Sequence, residues 1–118
     1  MLIVDDDAFT RAQLRDCLVG MDVELDDVAD AEGALARIGK GDVICVLLDL
    51  VMPKMSGLQL LGTLKASHPR LPVIVISGLD TERMIDEATR QGARLFLRKP
   101  FHPLEVQQAV RSALELTS

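Results

Sequence analysis

The chain has 118 residues, of which 48% are hydrophobic, and it carries a formal net charge of −5. That length suits one domain with its own core, and no apolar run is long enough to span a membrane. The negative charge argues against direct binding to nucleic acid. The two cysteines, Cys17 and Cys45, lack metal-ligand spacing, so we expect reduced, packed thiols in a cytoplasmic protein.

The first half of the chain predicts three strands that alternate with two helices. The predicted elements are a strand at Leu2–Val4, a helix at Phe9–Val19, a partly exposed strand at Val23–Val28, a helix that Asp30 caps and that faces inward through Ala31, Ala34, Leu35 and Ile38, and a strand at Val43–Asp49. Six apolar residues precede Asp49, which is typical of a strand buried on both faces of a parallel sheet. Asp49 therefore ends a central strand, where open α/β sheets place their ligand sites.

The second half predicts two more strands and three more helices. They are a helix that begins with the capping-box pair Ser56 and Gln59 and ends before His68, a strand at Pro72–Ser77, a helix at Thr81–Arg90, a strand at Ala93–Arg98 and a helix at Pro103–Leu116. The regular alternation indicates βαβ units, a parallel sheet and helices on both of its faces. We expect one domain over residues 1–118.

Polar side chains follow four of the five predicted strands, namely Asp5 and Asp6, Asp49, Ser77, and Lys99. The carboxyl ends of parallel strands lie at one edge of a sheet, so these groups should converge. Clustered carboxylates favour a hard divalent cation such as Mg²⁺. A lysine and a hydroxyl opposite the metal suit a phosphoryl group, and a carboxylate can act as its nucleophile. Each residue alone would more often be a turn, a helix cap or a solvated charge, so only their joint placement indicates a site.

These strand ends resemble those of the receiver domains of bacterial two-component response regulators. The similar stretches are Leu2 to Asp7, Leu47 to Pro53 with Ser56-Gly57, Val75 to Gly78, and Phe96 to Phe101. They occur in the expected order and cover essentially the whole chain. The resemblance implies a flavodoxin-like α/β fold with three layers, in which a doubly wound five-stranded parallel sheet has the strand order 2-1-3-4-5.

The resemblance also implies a role for each acidic residue. Asp49 would accept a phosphoryl group from the phosphohistidine of a histidine kinase. Asp6 and Asp49 would bind Mg²⁺ directly, together with the backbone carbonyl of Val51, and Asp5 would assist through water. The protein would therefore be a signalling switch and not a turnover enzyme.

The remaining implied roles concern the response to phosphorylation. Lys99 would pair with the phosphoryl oxygens, Ser77 would move to meet them, and Phe96 would swing into the space that Ser77 leaves. Lys99–Pro100 would be a cis peptide. Because Val51 and Leu79 are apolar where polar side chains often flank the reacting water, we also expect a long-lived phosphoryl form.

The implied partners are a sensor histidine kinase or phosphotransfer protein and a downstream effector domain or protein. The effector would bind the face formed by residues 81–116, whose helix at 81–90 has a thin apolar stripe. A homodimer that forms on phosphorylation is a further option. We expect no direct contact with nucleic acid or a membrane.

Three other functions fit part of the pattern. A phosphatase of the haloacid-dehalogenase type needs a second acid two residues after its nucleophile, where this chain has Val51. A phosphorylation-independent scaffold with the same fold would not need the complete polar set. A flavodoxin-like flavin protein would need a Gly/Ser/Thr-rich phosphate loop after the first strand and an aromatic ring to stack on the flavin, and the chain has no Trp or Tyr.

Overall fold

A computed structural model describes residues 1–52, 56–78 and 82–115 of the chain. Strands and helices alternate through them in the predicted order. The elements are β1 (Leu2–Val4), α1 (Ala8–Cys17), β2 (Asp26–Val28), α2 (Ala31–Ile38), β3 (Val46–Asp49), α3 (Gly57–Ser67), β4 (Val73–Ser77), α4 (Glu82–Arg90), β5 (Leu95–Arg98) and α5 (Pro103–Glu115). In these ranges, no helix is both long and apolar enough to cross a membrane.

The five strands form one parallel sheet in the order β2-β1-β3-β4-β5, which confirms the predicted fold. The chain reverses its winding direction between β1 and β3, and ligands of open α/β sheets bind at such a switch point. Val4 lies opposite Leu48, so Asp5 follows at the level of Asp49 on the neighbouring strand.

Two apolar clusters cover the two faces of the sheet. α1 and α5 pack on one face, where the strands contribute Leu47 and Ile74. α2, α3 and α4 pack on the other face, where Leu48 and Val75 point. All four strand side chains are fully buried, as predicted for central strands covered by helices on both faces.

Some predicted boundaries were wrong because strand pairing, and not apolar content, limits strand length. β2 begins at Asp26 instead of Val23, and β3 begins at Val46 instead of Val43. Both strands pair with β1, which has only three residues, Leu2–Val4. Ile44 lies before the paired segment and is 51% exposed although it belongs to the apolar run.

Two local predictions also need correction. Leu35 was expected on the inner face of α2 but is 39% exposed, because the helix packs through Ala31, Ala34 and Ile38. Ser56 caps α3 as expected, but its hydroxyl accepts a hydrogen bond from the Leu58 amide, at 3.2 Å, instead of from the third residue of the helix.

Both cysteines are free and buried. Burial raises the pKa of the Cys45 thiol to about 11, so the thiol stays protonated at neutral pH. This agrees with the prediction of reduced, packed thiols.

Ion pairs join the edge strand β2 to α1. Arg11 donates from Nε to Asp27 Oδ2 at 2.8 Å, and Arg15 donates from Nε to Asp27 Oδ1 at 2.8 Å. These hydrogen bonds, above all the one from Arg15, hold the pKa of the Asp27 carboxyl below its usual value. The charged carboxylate therefore stabilises the folded protein.

We expect Asp27→Asn to lower the free energy of unfolding at pH 7 by about 1 kcal/mol, since the pairs are partly exposed. A carboxyl whose pKa is lower in the folded than in the unfolded protein stabilises the fold at pH values above its pKa in the unfolded protein. That contribution is lost as the pH falls through the folded value, so the difference between wild type and variant should shrink below about pH 4. Urea unfolding of both proteins at pH 7 and pH 3 measures the difference in their free energies of unfolding. A difference that is the same at both pH values would contradict the stabilising role of the Asp27 carboxylate.

Candidate functional site

Asp49 ends β3 at the switch point of the sheet and is only 4% exposed. Its Oδ1 accepts a hydrogen bond from the Val51 amide at 3.0 Å. The Leu50 amide, in turn, donates to the Ile76 carbonyl of β4 at 3.0 Å and extends the ladder past the carboxylate. The backbone on both sides of Asp49 is thus held in place, and so is one of its two carboxylate oxygens.

Two more carboxylates from the end of β1 lie beside Asp49. One oxygen from each of Asp5, Asp6 and Asp49 lies within 4.8 Å of the others. Asp5 is 1% exposed, whereas Asp6 is exposed to solvent. The sheet therefore brings together the three acidic residues that the sequence predicted, with one of them open to water.

The environment of Asp5 favours a cation. Its Oδ1 accepts from the Asp7 amide at 2.9 Å, whereas its Oδ2 is buried without a hydrogen-bond partner in the described ranges. Burial, followed by the negative charge of Asp49, raises the pKa of the Asp5 carboxyl. A positive ligand would relieve both effects, because it supplies a partner for the buried oxygen and offsets the repulsion.

Lys99 supplies a positive charge to the same cluster. Its Nζ lies 3.6 Å from Asp5 Oδ2 and 3.6 Å from Asp49 Oδ2. Lys99 follows β5, where its amide donates to the Ser77 carbonyl of β4 at 3.0 Å, and its peptide bond to Pro100 is cis. The ammonium group therefore lies between two carboxylates at the ends of two neighbouring strands, β1 and β3.

Ser77 ends β4, and Phe96 lies within the neighbouring strand β5. Ser77 is fully buried at the end of β4, and its hydroxyl donates to the sulfur of Met84 at 3.9 Å. Phe96, on β5, is half-buried and packs against the same apolar cluster as Met84. Met84 lies in the helix at 81–90, for which the sequence predicted only a thin apolar stripe, and nothing in the sequence pattern indicated its contact with Ser77.

Gly57 is a second residue whose importance the sequence pattern did not predict. It is the first residue of α3, and its amide donates to the Leu50 carbonyl at 3.0 Å. A Cβ atom there would lie 2.4 Å from Leu50 Cα and 2.5 Å from the Asp49 carbonyl oxygen. Only glycine lets α3 approach the backbone that carries Asp49 this closely.

The donor set at this edge fits Mg²⁺. The three carboxylates offer hard oxygen ligands, and the buried Asp5 Oδ2 lacks a hydrogen-bond partner in the part of the chain that is described. The exposure of Asp6 leaves the cluster accessible from solvent, which suits an ion that keeps several water ligands.

Sequence and structure comparisons agree on the family. The sequence model of the response regulator receiver domain family matches residues 1–111 of this chain. The chemotaxis protein CheY of Listeria monocytogenes is 35% identical over 116 residues, which cover 96% of each chain. The response regulator protein FleR of Pseudomonas aeruginosa is 38% identical over 101 residues, but these cover 86% of this chain and only 21% of FleR.

A solved structure shows the same arrangement of the chain. The receiver domain of NtrX from Brucella abortus superimposes with a TM-score of 0.91 at 34% identity, over 97% of each chain. The sheet order, the acidic strand ends and the match over residues 1–111 agree with one another. The chain therefore belongs to the response regulator receiver domains of two-component systems.

Proposed function

We propose that this protein is a phosphorylation-dependent signalling switch with Asp49 as its phosphoacceptor. The observation that carries the proposal is the setting of Asp49, a buried carboxylate at the switch point with the Lys99 ammonium 3.6 Å from its Oδ2. We further propose that residues 1–118 form one receiver domain. A cytoplasmic location stays a prediction.

In the proposed reaction, an oxygen of Asp49 attacks the phosphorus of a phosphohistidine on a histidine kinase or phosphotransfer protein. A P–O bond to Asp49 forms while the P–N bond to the histidine breaks, and the released imidazole keeps the electron pair and binds a proton from water. Lys99, whose Nζ lies 3.6 Å from Asp49 Oδ2, would pair with the phosphoryl oxygens, which develop negative charge as the group transfers.

Asp6, Asp49 and the Val51 carbonyl would hold Mg²⁺, and Asp5 would assist through a water molecule. When bound, the ion would neutralise charge between the carboxylates and the incoming phosphoryl group. The chain itself contributes the fixed orientation of Asp49, whose Oδ1 accepts from the Val51 amide at 3.0 Å. It also shields Asp5 and Asp49 from bulk water through their burial.

We expect phosphorylation by acetyl phosphate to require Mg²⁺ and to be lost in Asp6→Asn. The reason is that Asp6 is the exposed member of three clustered carboxylates and would bind the ion directly. Intact-mass spectrometry with and without EDTA measures the labelling, and NMR titration with Mg²⁺ locates the ion. Amide shifts that cluster away from residues 5–7 and 49–51 would show that the metal assignment is wrong.

The output surface is proposed to lie on α4, β5 and α5. Ala88 is the one fully buried residue that α4 contributes among its described positions, so few contacts hold this helix in place. Ser77 would move to meet the phosphoryl oxygens and Phe96 would swing into the space that Ser77 leaves, which would join the phosphoacceptor to this face. The partner would be an effector domain or protein, or a second copy of the chain.

We expect hydrogen exchange of amides in 82–115 to change on phosphorylation, because this face would repack when Ser77 and Phe96 move. Hydrogen-exchange mass spectrometry of the phosphorylated and the unphosphorylated protein, with Mg²⁺ in both samples, measures the change in exchange. A response confined to residues 9–38 would mean that the output face lies elsewhere, on α1, β2 and α2.

The predicted slow hydrolysis of the phosphoryl group rests on Val51 and Leu79. Val51 is apolar and 48% exposed beside Asp49, so its side chain lies at the edge of the site. Leu79 lies outside the described residues. An apolar Val51 also leaves out the second acid that a dehalogenase-type phosphatase would use, which favours the signalling role.

A further inference from the structure

We propose that Met84 is a positioning residue for Ser77. Its sulfur holds the Ser77 hydroxyl toward α4 in the unphosphorylated protein and thereby sets how readily the protein accumulates a phosphoryl group on Asp49. This inference rests on the proposed function, because it concerns the role of Ser77 in meeting the phosphoryl oxygens.

The contact itself is a hydrogen bond across two elements. Ser77 at the end of β4 is 0% exposed, and its Oγ donates to Met84 Sδ of α4 at 3.9 Å. A thioether sulfur is a weak acceptor, whereas phosphoryl oxygens are strong, charged ones. A hydroxyl has one proton to donate, so Ser77 must leave Met84 when it meets the phosphoryl group.

The strength of this acceptor therefore biases the switch. Breaking a bond to sulfur costs little, so Met84 retains Ser77 in the resting state without locking it there. A stronger acceptor at the same position would oppose release, and an apolar side chain would remove the opposing bond. The bias should appear as a change in the phosphorylated fraction, because the bond exists in only one of the two states.

Met84 is also placed to carry the change into α4. It is half-buried and packs against the cluster that contains Ala88 and, at its margin, Phe96. The methionine side chain is unbranched and adapts its rotamers to a changed neighbour at low cost. Release of Ser77 therefore changes a contact of a side chain that belongs to the helix on the proposed output face.

Two substitutions of similar size separate positioning from simple packing. Met84→Leu removes the acceptor, and Met84→Gln replaces it with an amide oxygen, a stronger one. At limiting acetyl phosphate with Mg²⁺, we expect the ratio of phosphorylated to unphosphorylated protein to rise in Met84→Leu and to fall in Met84→Gln. We expect a change of about twofold for Met84→Leu, which removes a weak bond, and of up to about tenfold for Met84→Gln, which would introduce an ordinary neutral hydrogen bond.

The Ser77→Ala background is the matched control for these measurements. Without the hydroxyl, the opposite effects of the two Met84 substitutions should disappear, because residue 77 no longer has a hydroxyl proton to donate to residue 84. If both substitutions shift the ratio in the same direction, or if their difference persists in Ser77→Ala, Met84 acts through packing and the proposal is overturned.

A second measurement needs no phosphoryl transfer. With ¹³C-labelled methionine methyl groups, Ser77→Ala should shift the Met84 resonance of the unphosphorylated protein and leave that of the half-buried Met21 unchanged. An unchanged Met84 resonance would overturn the positioning role even in a protein that phosphorylates normally. The opposite result is also informative. If the Met84 resonance shifts but the protein accepts no phosphoryl group, the contact between Met84 and Ser77 stands, whereas the proposed function and the regulatory role of Met84 are overturned.

Discussion

Asp49→Asn should remove the phosphoryl group that acetyl phosphate and Mg²⁺ add to the wild-type protein. The amide of asparagine is not a nucleophile, while its shape preserves the hydrogen bond that Oδ1 accepts from the Val51 amide at 3.0 Å. We therefore expect a folded protein whose labelling falls by roughly 10³-fold or more, as when the nucleophile is removed from other covalent catalysts. Intact-mass spectrometry of both proteins after equal incubation measures the loss.

Asp16→Asn is the matched control for Asp49→Asn. Asp16 is an exposed carboxylate of α1 outside the acidic cluster, so its loss changes the net charge by the same amount without touching the site. Its labelling should equal that of the wild type. Labelling of Asp49→Asn at the wild-type level would assign the phosphoryl group to a different residue.

Gly57→Ala should strongly destabilise the protein. The added Cβ would lie 2.4 to 2.8 Å from three backbone atoms of Asp49 and Leu50, closer than van der Waals contact allows. Relief requires α3 or the end of β3 to move, since backbone atoms cannot rotate away. We expect the free energy of unfolding to fall by about 2–3 kcal/mol and the thermal midpoint by roughly 10 °C.

Gly62→Ala, in the same helix, separates this clash from the ordinary effect of adding a methyl group. Its Cβ would lie 2.9 Å from Gln91 Oε1, which is the end of a flexible side chain and can turn aside. Alanine also favours a helix interior over glycine by about 1 kcal/mol, so we expect this variant to be as stable as wild type or more so. Urea unfolding of both variants measures the difference. Equal stability of the two would mean that α3 does not need its close approach to β3.

Gly57→Ala should also impair phosphorylation if part of the population remains folded. Its Cβ would press on the Asp49 carbonyl and on Leu50, the two groups that precede the Val51 amide. That amide orients the Asp49 carboxylate, so a shift of the backbone would misplace the reacting oxygen. Labelling measured well below the unfolding temperature separates this effect from loss of the fold.

Periodicity and strand-end chemistry predicted a parallel sheet with helices on both faces and the convergence of the acidic residues, whereas the strand order followed from the resemblance to receiver domains. Each helix has an apolar stripe that its own sequence reveals, and alternation with strands leaves parallel βαβ units as the natural arrangement. The positions of Asp5 and Asp49 followed from the same pattern, because both come directly after apolar strand residues. These features are local in the chain, so they can be read without knowledge of the contacts.

Strand lengths, by contrast, depend on partners that are distant in the sequence. Ile44 continues the apolar run of β3, yet it is 51% exposed because the paired segment of β1 is too short to reach it. Leu35 follows the helical period of α2, yet it is 39% exposed because the helix packs through Ala31, Ala34 and Ile38. Hydrophobicity predicts which residues can be buried, and the packing partner decides which of them are.

The sequence by itself determined the order of the elements, the family and the candidate residues at the strand ends. Tertiary structure alone decided that Lys99 lies 3.6 Å from both Asp5 and Asp49, that one Asp5 oxygen is buried without a hydrogen-bond partner in the described ranges, and that Ser77 donates to Met84. The physical reason is that these contacts join strands and helices far apart in the chain, and their distances depend on how the crossover helices pack. Residue types and spacing specify which groups meet at the edge of the sheet, whereas packing sets the distances and burial that determine their chemistry.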